Sequence, residues 1–270
     1  RDAMAQHLAE ARSHVFSIEA LADAPAVKRQ IHVLIIGATG RPARWDLFDA
    51  KRNTTPRLSS RREGLLAFSD VVSAASATRE AVPLMLTRRP PTSMLAATPE
   101  PSVVTAFRQA GFRTYWLSNQ GSAGSHETPI SVLAEEADER HYVNSADYRG
   151  RGTLDGDLLP LLKKVLARRE DKQFIVLHTL GSHLHYADRY PPEFARFQPS
   201  VGRDDQPDIW RPTDADQLRN AYDNSVLYTD FVIDSVIAAL EDHGGAATLF
   251  YAADHGETLF DGTCKKAGHG

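Results

Sequence analysis

A single cysteine, Cys264, in 270 residues excludes an internal disulfide and any cysteine-built zinc site. It leaves the compartment open, because exported proteins need not carry disulfides. No run approaches the roughly eighteen uninterrupted apolar residues of a membrane-spanning helix. A basic start followed by an apolar core is also absent, so no signal peptide is visible. Net charge is only -4, and no basic run stands out. That balance gives no electrostatic reason to expect nucleic acid or an anionic membrane surface as partner. Internal repeats and low-complexity tracts are missing too. What remains is 42% hydrophobic and 24% charged, ordinary globular composition for a chain long enough to bury a substantial core.

Residues 1–30, rich in Ala, Leu, Glu and His from Ala3 to Leu21, predict a helical segment leading into one domain over 31–270. Ile31-His32-Val33-Leu34-Ile35-Ile36 is a short β-branched apolar block closed by Gly37, the pattern of a buried parallel strand. Similar blocks recur at Thr114 to Leu117, Phe174 to Leu177 and Ala247 to Tyr251. Between them, Pro101 to Ala110, Leu158 to Arg168 and Gln217 to Asp242 predict helices, the last with an apolar stripe. Alternating strands and helices predict an α/β fold, a mostly parallel central sheet with helices on both faces. Ligands in such sheets bind beyond the carboxyl ends of the strands. Gln198 to Asp216 reads as an exposed loop. The start at Arg1-Asp2-Ala3 and the stop at Gly268-His269-Gly270 read as a piece of a longer protein, truncated at its C-terminal side.

Chemistry concentrates at the strand ends. Asp254-His255-Gly256-Glu257 follows the last block directly, and its carboxylates and imidazole are ligands suited to zinc or manganese. His269 comes fourteen residues after His255. His178, Ser182, His183 and His185 form a second cluster past the third strand. A lone histidine is more often a hydrogen-bonded core or surface residue; grouping after strands favours ligands. Asn119 and Gln120 end the second strand, either as phosphoryl donors or as turn residues before Gly121. Thr78 before Arg79-Glu80-Ala81 reads as a helix cap. Arg41 is a phosphate contact or a carboxylate partner, the latter preferred. For Thr54-Thr55-Pro56 turn chemistry is preferred.

From about Ile31 onward the chain resembles the soluble catalytic domain of bacterial phosphoethanolamine transferases, including those conferring polymyxin resistance, within the alkaline-phosphatase/sulfatase superfamily. The resemblance rests on signatures in order: Gly37-Ala38-Thr39-Gly40-Arg41 with Arg52-Asn53-Thr54-Thr55-Pro56-Arg57-Leu58, then Ser76-Ala77-Thr78-Arg79-Glu80-Ala81-Val82-Pro83. Leu177-His178 with Gly181-Ser182-His183 and Arg189-Tyr190-Pro191, Tyr222-Asp223-Asn224, Asp254-His255-Gly256-Glu257 and Gly268-His269-Gly270 follow. It implies one or two Zn2+ ions, with Mn2+ the lesser alternative, and Thr78 as nucleophile and metal ligand beside Asp254 and His255. It implies phosphatidylethanolamine as donor and an envelope glycan or lipopolysaccharide as acceptor. His183 and His269 would flank the phosphoryl group, and His178, Asn119 and Gln120 would bind substrate. The location implied is the periplasmic face of the bacterial inner membrane, held through an N-terminal membrane domain that residues 1–30 would link.

Two departures stand out. The family's metal-binding Glu is Ala38 here, so one ligand is absent and this form is expected to be impaired. Either Ala38 is an inactivating substitution, which the intact Thr78, Asp254 and His255 favour, or the lineage lost or rerouted activity. The usual Gly-Pro after the third-signature His is Leu184-His185, one residue shorter before Arg189, which resembles the branch acting on core sugars or glucans rather than on lipid A. A sulfatase would need Cys or Ser in a Cys/Ser-x-Pro-x-Arg setting, and Ser76 to Glu80 lacks that proline. A phosphodiesterase, or a noncatalytic glycan- or lipid-binding domain, are the other readings.

Overall fold

The computed structural model describes residues 29–48, 51–89, 101–122, 128–144, 152–205 and 207–269. The helix expected within residues 1–30 lies outside them, apart from the last residue, which opens the first strand.

Five strands form one parallel sheet: β1 (Gln30–Gly37), β2 (Arg113–Ser118), β3 (Glu139–Tyr142), β4 (Lys172–His178) and β5 (Ala246–Ala253). Their order is β3-β2-β4-β1-β5, every pairing parallel. β6 (Thr258–Leu259) and β7 (Ala267–Gly268) make a small antiparallel pair near the last residues. Among the described residues six α-helices accompany them: α1 (Pro56–Ser60), α2 (Thr78–Leu86), α3 (Val103–Gln109), α4 (Thr128–Ala134), α5 (Leu158–Leu166) and α6 (Ala215–His243).

The strand period of two divides the core between two faces. Ile31, Val33 and Ile35 of β1, Tyr115 and Leu117 of β2, and Ile175 and Leu177 of β4 point to one side. There they meet Leu158, Leu162 and Val165 of α5 and the apolar stripe of α6. The intervening residues Ile36, Trp116, Phe174 and Val176 point the other way, against Val82 and Leu86 of α2, Val104 of α3 and Leu133 of α4. This is the expected sheet with helices on both faces.

The four apolar blocks are all strands, but β5 is an edge strand and not buried. Its first residues are exposed, and Phe250, whose side chain falls on the second face, is 55% exposed. β3 gave no apolar signal, because Glu-Arg-His-Tyr at the opposite edge is only half-buried. The stretch from Gln198 to Asp216 is largely surface chain, tacked down by Val201 and Ala215.

Turn chemistry accounts for Thr54-Thr55-Pro56. Pro56 opens α1, Thr55 Oγ1 donates to Asp46 at 2.8 Å, and Leu47 N–H donates to Thr55 Oγ1 at 3.0 Å. The start of α1 is also capped from across the fold. Asp230 of α6 accepts from the N–H groups of Leu58 at 2.9 Å and Arg57 at 3.1 Å. Burial pushes the Asp230 carboxyl up to about 6, with those amides opposing the shift. Replacing Asp230 by Ala orphans two amides and should cost about 1–3 kcal/mol in urea unfolding at pH 7. Because its folded value lies above the unfolded one, protonation favours the fold, and stability from this group is lost as pH rises through about 6. Wild type should therefore gain on the Asp230→Asn protein between pH 7 and pH 5.

Candidate functional site

The parallel register brings three chain segments to one edge of the sheet. Ile36 pairs with His178 and Gly37 with Ala253, so β1, β4 and β5 finish at the same level. The ladder runs on past them, Thr179 N–H to Ile36 O and Asp254 N–H to Gly37 O, both at 2.9 Å. Asp254, Ala38 and the loop carrying His183 therefore emerge side by side.

Asp254 is 1% exposed. Its Oδ1 accepts from His255 N–H at 2.7 Å and from Thr39 N–H at 3.2 Å. Its Oδ2 is buried with no hydrogen-bond partner. Thr39 is held in the left-handed region at φ 59°, and Tyr222 of α6 donates to its carbonyl at 2.6 Å. His255 Nδ1 lies 2.9 Å from the Gly256 carbonyl, which requires the proton on Nδ1 and leaves the Nε2 lone pair free. That Nε2 is 3.3 Å from Thr78 Oγ1. Thr78 is the first residue of α2; the cap position is Ala77, and no side chain caps the helix. The capping reading of Thr78 is thus corrected: its hydroxyl turns to His255 instead of to a backbone amide.

Beside this trio stands a second one. Ligand atoms of His183, Glu257 and His269 lie within 4.8 Å of one another. His269 Nε2 is 3.6 Å from Glu257 Oε1, and the His269 ring is centred 4.6 Å from His255 and 5.3 Å from His183. Tyr186 O–H donates to Glu257 Oε2, and Leu184 N–H donates to Oε1 at 3.3 Å. Burial pushes the Glu257 carboxyl up to about 7 and raises Asp254 as well, against the opposing pull of His255. Burial, then the Arg189 charge, lowers His183 to about 3, so it stays neutral.

These residues fit a divalent cation. Two buried carboxylates are held unfavourably without one, a carboxylate oxygen has no hydrogen-bond partner, and three imidazoles, with His183 neutral, stand close by. Nitrogen and oxygen donors of this kind suit zinc. Ala38, 1% exposed, adds only a methyl group; its carbonyl is already engaged by Ser182 N–H at 3.1 Å.

Other expected site residues fare differently. Asn119 donates to Asp155 at 2.8 Å and to the Thr153 carbonyl at 3.1 Å, and its oxygen accepts from Thr153. Its amide is fully engaged within the chain, which corrects the expected phosphoryl contact. Gln120 donates to the Thr179 carbonyl at 2.8 Å, the turn role. His178 is enclosed at the end of β4, with Nδ1 3.3 Å from Ser118 Oγ, and burial lowers it to about 3. His185 is exposed, and no close contact joins it to the two trios. Arg41 pairs with Asp261 at 2.5 Å, the carboxylate-partner reading. In the sequence Arg189 stood within a signature without an assigned role, and neither Tyr186 nor Asp155 was singled out.

The sulfatase family profile matches residues 30–270. The chain belongs to the sulfatase family. Phosphoethanolamine transferase EptC of Escherichia coli K12 is 30% identical over 234 residues, 85% of this chain and 40% of that protein. The chain thus spans about two fifths of such curated relatives. The crystal structure of the C-terminal periplasmic domain of E. coli EptC in complex with Zn matches with TM-score 0.78 and 28% identity, covering 90% of this chain and 68% of that one. The soluble domain of lipooligosaccharide phosphoethanolamine transferase A from Neisseria meningitidis matches with TM-score 0.75 and 29% identity, covering 90% and 72%. This sulfatase-family domain is homologous to the phosphoethanolamine transferases, and its alkaline-phosphatase/sulfatase-like fold agrees with them. No helix among the described residues is long and apolar enough to cross a membrane.

Zinc titration by chelator competition should detect at least one ion per chain. Asp254→Ala and His255→Ala should each weaken binding about tenfold or more, as removal of a direct ligand does.

Proposed function

We propose that this domain transfers phosphoethanolamine from phosphatidylethanolamine to an envelope glycan or lipopolysaccharide, through a phosphothreonine-type intermediate on Thr78. The observation that carries the reading is the Thr78 hydroxyl 3.3 Å from His255 Nε2, beside the unpartnered buried Asp254 Oδ2. Thr78, Asp254 and His255 would hold one zinc ion; His183, Glu257 and His269 would accept a second or serve the phosphoryl side. When bound, zinc lowers the pKa of a hydroxyl and neutralises phosphoryl charge.

Thr78 releases its hydroxyl proton to solvent as Oγ attacks phosphorus, the phosphorus–oxygen bond to diacylglycerol breaks, and phosphoethanolamine is esterified to Thr78. Free N–H groups at the start of α2 stabilise the phosphoryl oxygens. His269 gives the departing glyceride oxygen its proton, His183 being held neutral. An acceptor hydroxyl or phosphate then attacks the same phosphorus, releasing Thr78. Leu184-His185 in place of Gly-Pro supports a core sugar or glucan acceptor over lipid A. The likeness to periplasmic transferase domains supports residence at the periplasmic face of the inner membrane.

Ala38 lowers the expected rate, because one cation ligand of the family is missing. That same residue favours a second reading, a noncatalytic glycan- or lipid-binding member. Intact-mass analysis separates the two. Ala38→Glu, incubated with zinc and phosphatidylethanolamine, should gain one phosphoethanolamine on Thr78, and Ala38→Glu with Thr78→Ala should gain none. A zinc-loaded Ala38→Glu protein that stays unmodified would remove this donor and leave the binding reading.

A further inference from the structure

The loop from Thr179 to Leu184 must leave β4, turn back over β1 and present His183, all within a few residues. Gly181 adopts φ 52°, and a Cβ there would lie 2.4 Å from the Ala38 carbonyl oxygen and 2.9 Å from its nitrogen. Backbone packed this closely has little access to water, so its polar groups need internal partners. Two buried side chains of opposite charge supply them. Asp155, 5% exposed, accepts from Leu180 N–H on Oδ1 and Gly181 N–H on Oδ2, each at 2.8 Å. Arg189, 3% exposed, donates to the carbonyls of His183 at 3.4 Å and Leu184 at 3.0 Å. Asn119 fixes Asp155 from behind at 2.8 Å.

We propose that Asp155 and Arg189 are positioning residues for His183: a buried acid–base bracket that grips the loop by its amides on one side and its carbonyls on the other. Neither need touch substrate. Burying a charge at each end is costly unless hydrogen bonds and an opposite charge offset it, and here each meets the loop's own dipoles and the other's field. The geometry gives a reason for charge where neutral caps would suffice for folding: a loop held by two charged groups keeps the His183 ring in register with Glu257 and His269. The bracket rests on the backbone geometry, and its consequence for cation binding rests on the proposed function.

The test uses the whole chain, labelled with 13C and 15N at histidine, first without metal. Asp155→Asn keeps the side-chain shape but turns an amide N–H against one loop amide; Arg189→Lys keeps charge but loses the fork. Either variant should shift or broaden the His183 ring signals, assigned with His183→Gln, and leave those of His32 and His243 in place. Unmoved His183 signals would overturn the bracket, and Arg189→Lys carries the test alone where Asp155→Asn does not fold.

Co2+ titration gives the second readout. Asp155→Asn should weaken binding about tenfold, the usual scale for groups that orient a ligand. In a His183→Gln background the same change should add less than about twofold, since it acts through His183. Asp230→Asn, a buried carboxylate capping α1, is the control for general destabilisation and should leave affinity within about twofold. An undiminished effect in the His183→Gln background would show a merely structural role. If the parent takes up no Co2+ while the His183 signals still move, the proposed cation centre falls and the bracket stands.

Discussion

The parallel register of β1 between β4 and β5 is the constraint on which the rest depends. Ile36 opposite His178 and Gly37 opposite Ala253 fix where three loops begin. A one-residue slip would reverse every side chain on β1 and carry Ala38 and Thr39 away from Asp254. The register is set on both faces at once. Ile31, Val33 and Ile35 pack under α5 and α6, while Ile36 packs under α2, α3 and α4. Core packing and site assembly are therefore one structural fact, and α2, which fills the second face with Val82 and Leu86, also carries Thr78 to the site.

Electrostatics then explains why the site needs something more than protein. Burial disfavours the charges of Asp254 and Glu257 and lowers His183, so without a cation the centre holds raised carboxyls beside a neutral His183. Local donors offset this only in part: one oxygen of Asp254 has two amides, and the other has no hydrogen-bond partner, with His255 Nε2 3.8 Å away. A divalent ion reverses the balance by drawing the carboxylates into their charged forms. The Ala38 backbone packs against Gly181 and accepts from Ser182 N–H, so this position is tied into the frame of the site.

Much of this was legible in the sequence because it rests on local pattern. Short β-branched blocks announced β1, β2, β4 and β5, and Asp254-His255-Gly256-Glu257 announced a cluster of carboxylates and imidazole just past the last strand. The edge character of β5 was not legible, since burial of Phe250 depends on what covers the sheet and not on its own neighbours in sequence. β3 escaped because a polar edge strand carries no hydrophobic period. Asn119 was misjudged for a related reason: a polar residue at a strand end faces substrate or supports a loop according to a partner, here Asp155, thirty-six positions away. Asp155 and Arg189 were invisible as positioning groups because their partners are backbone atoms, which leave no trace in side-chain identity.

The central claim is that the ends of β1 and β5 and the start of α2 build a divalent-cation centre. Anomalous diffraction at the zinc edge, from crystals of this chain soaked in zinc, tests it most directly. The account predicts a peak within bonding distance of Asp254 Oδ2 and His255 Nε2, with Thr78 Oγ1 turned toward it. Zinc bound elsewhere, with Asp254 Oδ2 still unliganded at saturating metal, would contradict it.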